Sequence, residues 1–171
     1  MISGCAAKPE TSAPITPPAA SRGPPIAYAF DSLDEREISL VALKGRATVI
    51  LFIATYGDAS IVQARFAKKV LAEHAPRINV AAVFMEPIEN RPLARIFRDT
   101  IGLPYPLAMA DAQSIAGHGA FAGVDTVPSV VVLDHEGREV WRKVGVAHAD
   151  ELIRALRDAQ RDVWGEKPAP K

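Results

Sequence analysis

One cysteine, Cys5, is all that the 171 residues contain, and that scarcity removes several chemistries at once. An intramolecular disulfide, a C-x-x-C redox pair and a zinc site built on several cysteines all need more. An excess of charge is lacking too. Lys+Arg and Asp+Glu number 20 each, for a net charge of zero, so no basic field is available to attract nucleic acid or an anionic membrane surface. The longest apolar run, residues 48–55, falls well short of the roughly 20 residues that a membrane-crossing helix needs. No nucleic-acid partner and no spanning segment are expected.

What is present suits one ordinary domain: a length and a hydrophobic content of 49% that can fill a core. The hydrophobic pattern starts near residue 27. Residues 28–30 and 37–40 read as short strands around a turn, an N-terminal β extension. Residues 47–54 (ATVILFIA) form a continuous β-branched run, the mark of a strand covered on both faces. Residues 60–74 follow with helical spacing, Ser60 and Gln63 standing as a capping box. Residues 78–84 read as a second buried strand, 91–101 as a helix stopped by Gly102, and 112–121 as a glycine-interrupted helix opened by Asp111. Residues 129–133 and 139–144 make a hairpin, and 151–163 a closing helix. The order predicts an α/β fold, a mixed central sheet flanked by helices.

Before that domain, residues 6–25 carry six prolines among Ala, Ser and Thr with no hydrophobic period. Such a stretch favours extended polyproline II and buries too little to offset its ordering entropy. Ile2-Ser3-Gly4-Cys5 resembles the lipobox of bacterial lipoproteins, in which the cysteine becomes the lipidated mature N-terminus. A signal peptide needs a positive start and an apolar segment of about 7–15 residues, and only four residues precede Cys5; lipidation therefore implies an internal Met1 or a trimmed chain. The other reading is a stray cysteine in a disordered tail. The expected organisation is a lipobox-like start and tether over 1–26, a folded domain over 27–165 and a tail over 166–171.

Three segments then carry a family resemblance. FDSLDEREISLVALKG (residues 30–45), Phe52-Ile53-Ala54-Thr55-Tyr56, and Asp125-Thr126-Val127-Pro128-Ser129 followed by VVVLDHEGREVWRKVG resemble, in order and spacing, the TlpA/ResA-like (redoxin) branch of the thioredoxin superfamily. Its members are bacterial envelope thiol-disulfide oxidoreductases. The resemblance implies a thioredoxin-like fold, a cis peptide bond before Pro128, and a redox motif directly after Tyr56. There the family's C-x-x-C is replaced by Gly57-Asp58-Ala59-Ser60.

The replacement decides the expected chemistry. Thiol-disulfide exchange needs a thiolate to attack and a second thiol to resolve. Gly57 has no side chain, and a serine hydroxyl is a poor nucleophile without a base and an oxyanion site. His74, His118, His135 and His148 are the only histidines, and no motif ties one to Ser60. Ser60 reads first as a helix cap, and Asp58 as a carboxylate favoured by the helix N-terminus. Sco-type copper binding and peroxiredoxin chemistry fail for want of cysteines, Thr126 standing near the copper ligand histidine's place.

No catalytic residue, metal or cofactor is therefore expected. The expected role is a redox-inactive, non-catalytic module. It would bind an unknown protein or peptide through Tyr56, Gly57, Asp58, Ala59, Ser60, Val127 and Pro128, and meet the membrane through lipidated Cys5 in the cell envelope, facing the periplasm. The alternatives are oxidoreductase activity, for example through Cys5 acting in trans, and a structural part of an envelope complex.

Overall fold

In chain order the strands are β1 (Ala29–Ser32), β2 (Ile38–Ser39), β3 (Ala47–Ile53), β4 (Ile78–Phe84), β5 (Leu107–Met109), β6 (Ser129–Leu133) and β7 (Glu139–Val144). The helices are α1 (Leu40–Leu43), α2 (Asp58–His74), α3 (Arg91–Ile101), α4 (Ala112–Ile115) and α5 (Ala149–Gln160). The computed structural model describes residues 22–161; Cys5, most of the expected tether and the expected tail lie outside them.

The apolar run becomes β3, every residue of which is buried. Alternate side chains point to opposite faces of a sheet. Accordingly Val49, Leu51 and Ile53 enter one core while Ile50 and Phe52 enter the other. Burying one such side chain contributes about 1.5–3 kcal/mol, so this strand anchors both layers. β3 pairs in parallel with β4 and antiparallel with β6, at the centre of one seven-stranded sheet of order β2-β1-β5-β4-β3-β6-β7. The outer strand β7 carries Glu139, Arg142 and Lys143, charges that discourage pairing with another chain.

The long helices α2, α3 and α5 supply Ala64, Ala67, Val70, Ala94, Phe97, Leu152 and Ala155 to the first core. The second face is covered by shorter pieces: Leu40 and Leu43 of α1, Phe121, Val124, and Ile26, Tyr28 and Phe30. An aromatic cluster forms there, with Phe121 stacked on Phe30 at 6.2 Å and edge-on to Phe52 at 5.2 Å. The mixed, helix-flanked sheet is as expected.

Several local expectations need correction. The tether was expected to reach residue 26, yet residues 22–26 lie against the domain. The Arg22 guanidinium donates to Asp134 Oδ2 (3.3 Å) and to the Asp158 carbonyl (2.9 Å), and Ile26 N–H to the Gly137 carbonyl (2.9 Å). The helix expected over 112–121 ends at Ile115, because Gly117 turns the chain at φ +76°. Strand β5 was not expected. It is three residues long and follows Pro104 and Pro106, too short for a period to register. Residues 40–43 turn into α1, capped by the Ser39 hydroxyl accepting from Ala42 N–H at 3.1 Å, which shortens the expected second strand. The closing helix begins two residues early, at Ala149, and is followed by the capping residue Arg161.

Candidate functional site

Strand register assembles the site. Ile53 pairs with Phe84, so β3 and β4 end together, and Phe52 pairs with Ser129, so the start of β6 lies beside the same end. Residues 54–60, the segment after Phe84 and the Val127–Pro128 loop therefore converge at one edge of the sheet. The Val127–Pro128 bond is cis, as the resemblance implied. Pro128 accepts from Gly145 N–H at 2.8 Å, and the Ser129 hydroxyl donates to the Thr126 carbonyl at 2.6 Å.

Beneath the loop sits Glu86, a carboxylate only 3% exposed. It accepts from Thr55 N–H, from the Thr55 hydroxyl at 3.0 Å and from Asn90 Nδ2 at 2.8 Å. A buried carboxylate is costly unless its lone pairs are met. Here three neutral donors meet them, two of these from the loop itself. Sequence reasoning missed Glu86 and Asn90. The one available signal was an isolated acid just past a buried strand, at the edge where Thr55 also emerges.

Ser60 is not the cap it was expected to be. Helix α2 starts at Asp58 with Gly57 as its N-cap and no side-chain cap, which puts Ser60 in the first turn. Its hydroxyl, on a residue 2% exposed, turns inward and accepts from Ala54 N–H at 3.1 Å. Gln63 likewise leaves the expected capping box. Fully buried, it accepts the Ala147 N–H at 2.6 Å through Oε1. Ser60 thus closes the loop from inside and offers no face to a partner. Asp58 stands in the first turn, exposed, where the helix dipole favours a negative charge.

Gly57 has φ +87° and ψ +131°, a backbone region that residues with a Cβ enter at a cost of order 1–3 kcal/mol. A Cβ built on it meets nothing within 4 Å. Backbone strain, rather than lack of space, is what disfavours a side chain at the position where the resemblance puts a nucleophile.

The expected binding residues therefore divide. Tyr56 is 68% exposed, and Gly57, Asp58 and Ala59 are exposed beside it. Val127 is half-buried, while Pro128 and Ser60 are buried. No histidine hydrogen-bonds to Ser60. His148 is the N-cap of α5 and its ring lies tilted 5.5 Å from that of Phe66; His74 closes α2; His118 and His135 lie in turns. Among the described residues no three His, Cys, Asp or Glu side chains gather as a metal cluster, and none of their helices is long and apolar enough to cross a membrane. Chemically, the loop is a frame fastened through Ala54, Thr55 and Ser60 that presents an exposed tyrosine and an uncapped helix N-terminus.

On the same edge lies a groove of about 510 Å³, between Ala29–Asp31 of β1, the segment 87–89, and residues 109–112 and 115. Pro87, next to Glu86, forms part of its wall.

No protein-family model and no curated protein matches the chain. Solved structures do match. A DsbF homologue from Corynebacterium diphtheriae superposes with a TM-score of 0.74 at 17% identity, over 88% of this chain and 96% of that one. A secreted thiol-disulfide isomerase from Corynebacterium glutamicum gives 0.74 at 18%, over 93% and 99%. A thiol:disulfide interchange protein of the thioredoxin family from Chlorobium tepidum gives 0.67 at 24%, over 82% and 97%. The chain has the thioredoxin-like fold. The structures that share it include thiol-disulfide proteins, as the resemblance to redoxins implied.

Proposed function

We propose that this chain is a redox-inactive, thioredoxin-like lipoprotein of the bacterial cell envelope, a non-catalytic module that binds a protein or peptide at the loop around Tyr56. The observation that carries the reading is the state of residues 54–60. Their frame is kept, with Thr55 on Glu86, Ser60 on Ala54 and the cis Val127–Pro128 loop alongside. Where the resemblance puts the attacking thiol stands Gly57, in a conformation suited to glycine. A hydrogen-bonded frame with an exposed aromatic suits a binding face, because Tyr supplies contact area at little entropic cost.

A second reading, thiol-disulfide oxidoreductase activity, is favoured by the thiol-disulfide proteins that share the fold. It has to run through Cys5, the only thiol in the sequence, since fold alone does not fix function. Envelope placement rests on the lipobox-like residues 2–5.

Two measurements test the proposal. Immobilised protein is used to capture partners from an envelope extract, comparing wild type with Tyr56→Ala and Val127→Asp. A partner retained by wild type and lost by both variants is the expected result; equal capture by all three contradicts the role of the loop. Mass spectrometry of the mature N-terminus is expected to find diacylglycerol on Cys5, and a free Cys5 thiol in the mature protein contradicts the anchor.

A further inference from the structure

The groove beside the loop differs from it in chemistry. Its floor is apolar: Phe30, which rests on the aromatic cluster through Phe121, with Met109, Ile88 and Ile115. Ile88 is 46% exposed and Ile115 36%, so two branched side chains of this apolar lining face solvent. Among the described residues its charged lining is acidic, from Asp31, Glu89 and Asp111, with no lysine or arginine in the wall. Arg91, just outside, pairs with Asp31. Asp111 caps α4 by accepting Ser114 N–H at 2.6 Å. Glu89 and Asp111 are exposed, two carboxyl groups without an ion pair among the described residues, set over an apolar floor.

The backbone adds a third feature. The antiparallel ladder between β1 and β5 pairs Asp31 with Met109 and Ser32 with Ala108, and Leu33 N–H reaches the Leu107 carbonyl at 2.7 Å. Continued by two residues, the register would set Ala29 against Asp111, but the ladder contains no such pair. The strands part there, and the groove opens in the fork.

We propose that this groove is a second binding site, taking an extended peptide segment in which lysine or arginine alternates with apolar residues. The volume of about 510 Å³ falls in the range of formed ligand sites, about 300–1,000 Å³. Alternation suits an extended chain, whose successive side chains point to opposite sides. Apolar side chains fill the floor while cationic ones meet Glu89 and Asp111, and main-chain groups take up the strand edge where β1 and β5 separate. Complementary charge then sets specificity and the rate of encounter. This goes beyond the reading of the Tyr56 loop, because the groove includes neither Tyr56 nor Val127.

The test is fluorescence anisotropy of the full chain with three labelled synthetic peptides: alternating Leu and Lys, alternating Leu and Glu, and alternating Ser and Lys. Saturable, one-to-one binding of the Leu/Lys peptide is expected, with both other peptides weaker by about tenfold or more. The double variant Glu89→Gln/Asp111→Asn, which retains a capping side chain at 111, is expected to weaken the Leu/Lys peptide by about tenfold. Ile88→Ser is expected to weaken it several-fold, and Tyr56→Ala to leave it unchanged. Equal binding of the Leu/Glu peptide, absence of saturable Leu/Lys binding, or loss in Tyr56→Ala with none in the groove variants overturns the proposal. The first two outcomes leave the Tyr56 loop untouched, and capture by that loop can fail while the groove still binds.

Discussion

Asp134 and Glu86 are both buried acids, at opposite ends of the sheet, and they are answered differently. Thr48 pairs with Leu133 and Phe52 with Ser129, so the hairpin around Asp134 lies at the start of β3 and the Glu86 loop at its finish. Asp134 meets two guanidinium groups, Arg22 and Arg138, and the N–H groups of Glu136 and Arg138. Burial alone would raise its pKa, but the Arg138 N–H and guanidinium and the Glu136 N–H together hold it below the usual carboxylate range. Glu86 meets only neutral donors, two from Thr55 and one from Asn90. One end uses opposite charge to pin the chain's entry and a turn. The other uses a carboxylate to shape a loop whose outer side, with Tyr56 and the acidic groove, stays open. Ion-paired burial marks the closed end, and neutral-donor burial the end where binding is proposed.

The largest way to break this contrast is Asp134→Ala, which leaves two guanidinium groups without their shared acceptor. It is expected to cost about 3 kcal/mol or more, read as a lower urea midpoint at unchanged slope. Peptide and partner binding at the far edge should be unaffected. The same carboxylate gives a pH signature. Its folded pKa lies below its unfolded value of about 3.9, so its stabilisation is complete above that value and is lost as pH falls through the folded value. Acid unfolding of wild type should therefore steepen below about pH 4, and Asp134→Ala should remove that component.

Glu86→Ala removes the acceptor from a charge-assisted cluster and is expected to cost about 2–3 kcal/mol. Unlike Asp134→Ala, it should also disturb the loop, seen as faster hydrogen exchange at residues 54–57. Gly57→Ala is expected to cost about 1–2 kcal/mol through backbone strain at positive φ; a neutral or stabilising result would mean that the loop turns freely. Tyr56→Ala is the smallest in stability, within about 0.5 kcal/mol, yet it should abolish partner capture. That separation of stability from binding is what the open end requires.

Much of this was legible in the sequence, where local pattern decides. β3, β4, α3 and the β6–β7 hairpin fall where apolar runs, Gly102 and the Asp134–Gly137 turn put them. The loop was legible as a place, since Phe52–Tyr56 and Val127–Pro128 mark it. The roles within it were not. Ser60 next to a helix reads as a cap, but the helix begins two residues earlier and the hydroxyl is drawn to Ala54, a partner that only the folded loop supplies. Glu86 and Thr55 are separated by 31 residues in sequence and meet only through the β3–β4 register. The groove needs β5, whose three residues carry no period. Arg22, in a proline-rich stretch, reads as tether until Asp134 is seen beneath it.

The central claim is that the thioredoxin-like frame persists here without its reactive atoms. Insulin reduction at limiting dithiothreitol, followed by turbidity, tests it most directly with the full chain and with Cys5→Ser. Both proteins should run at the rate of the buffer control. A rate that rises in proportion to protein concentration, in either one, would contradict the account.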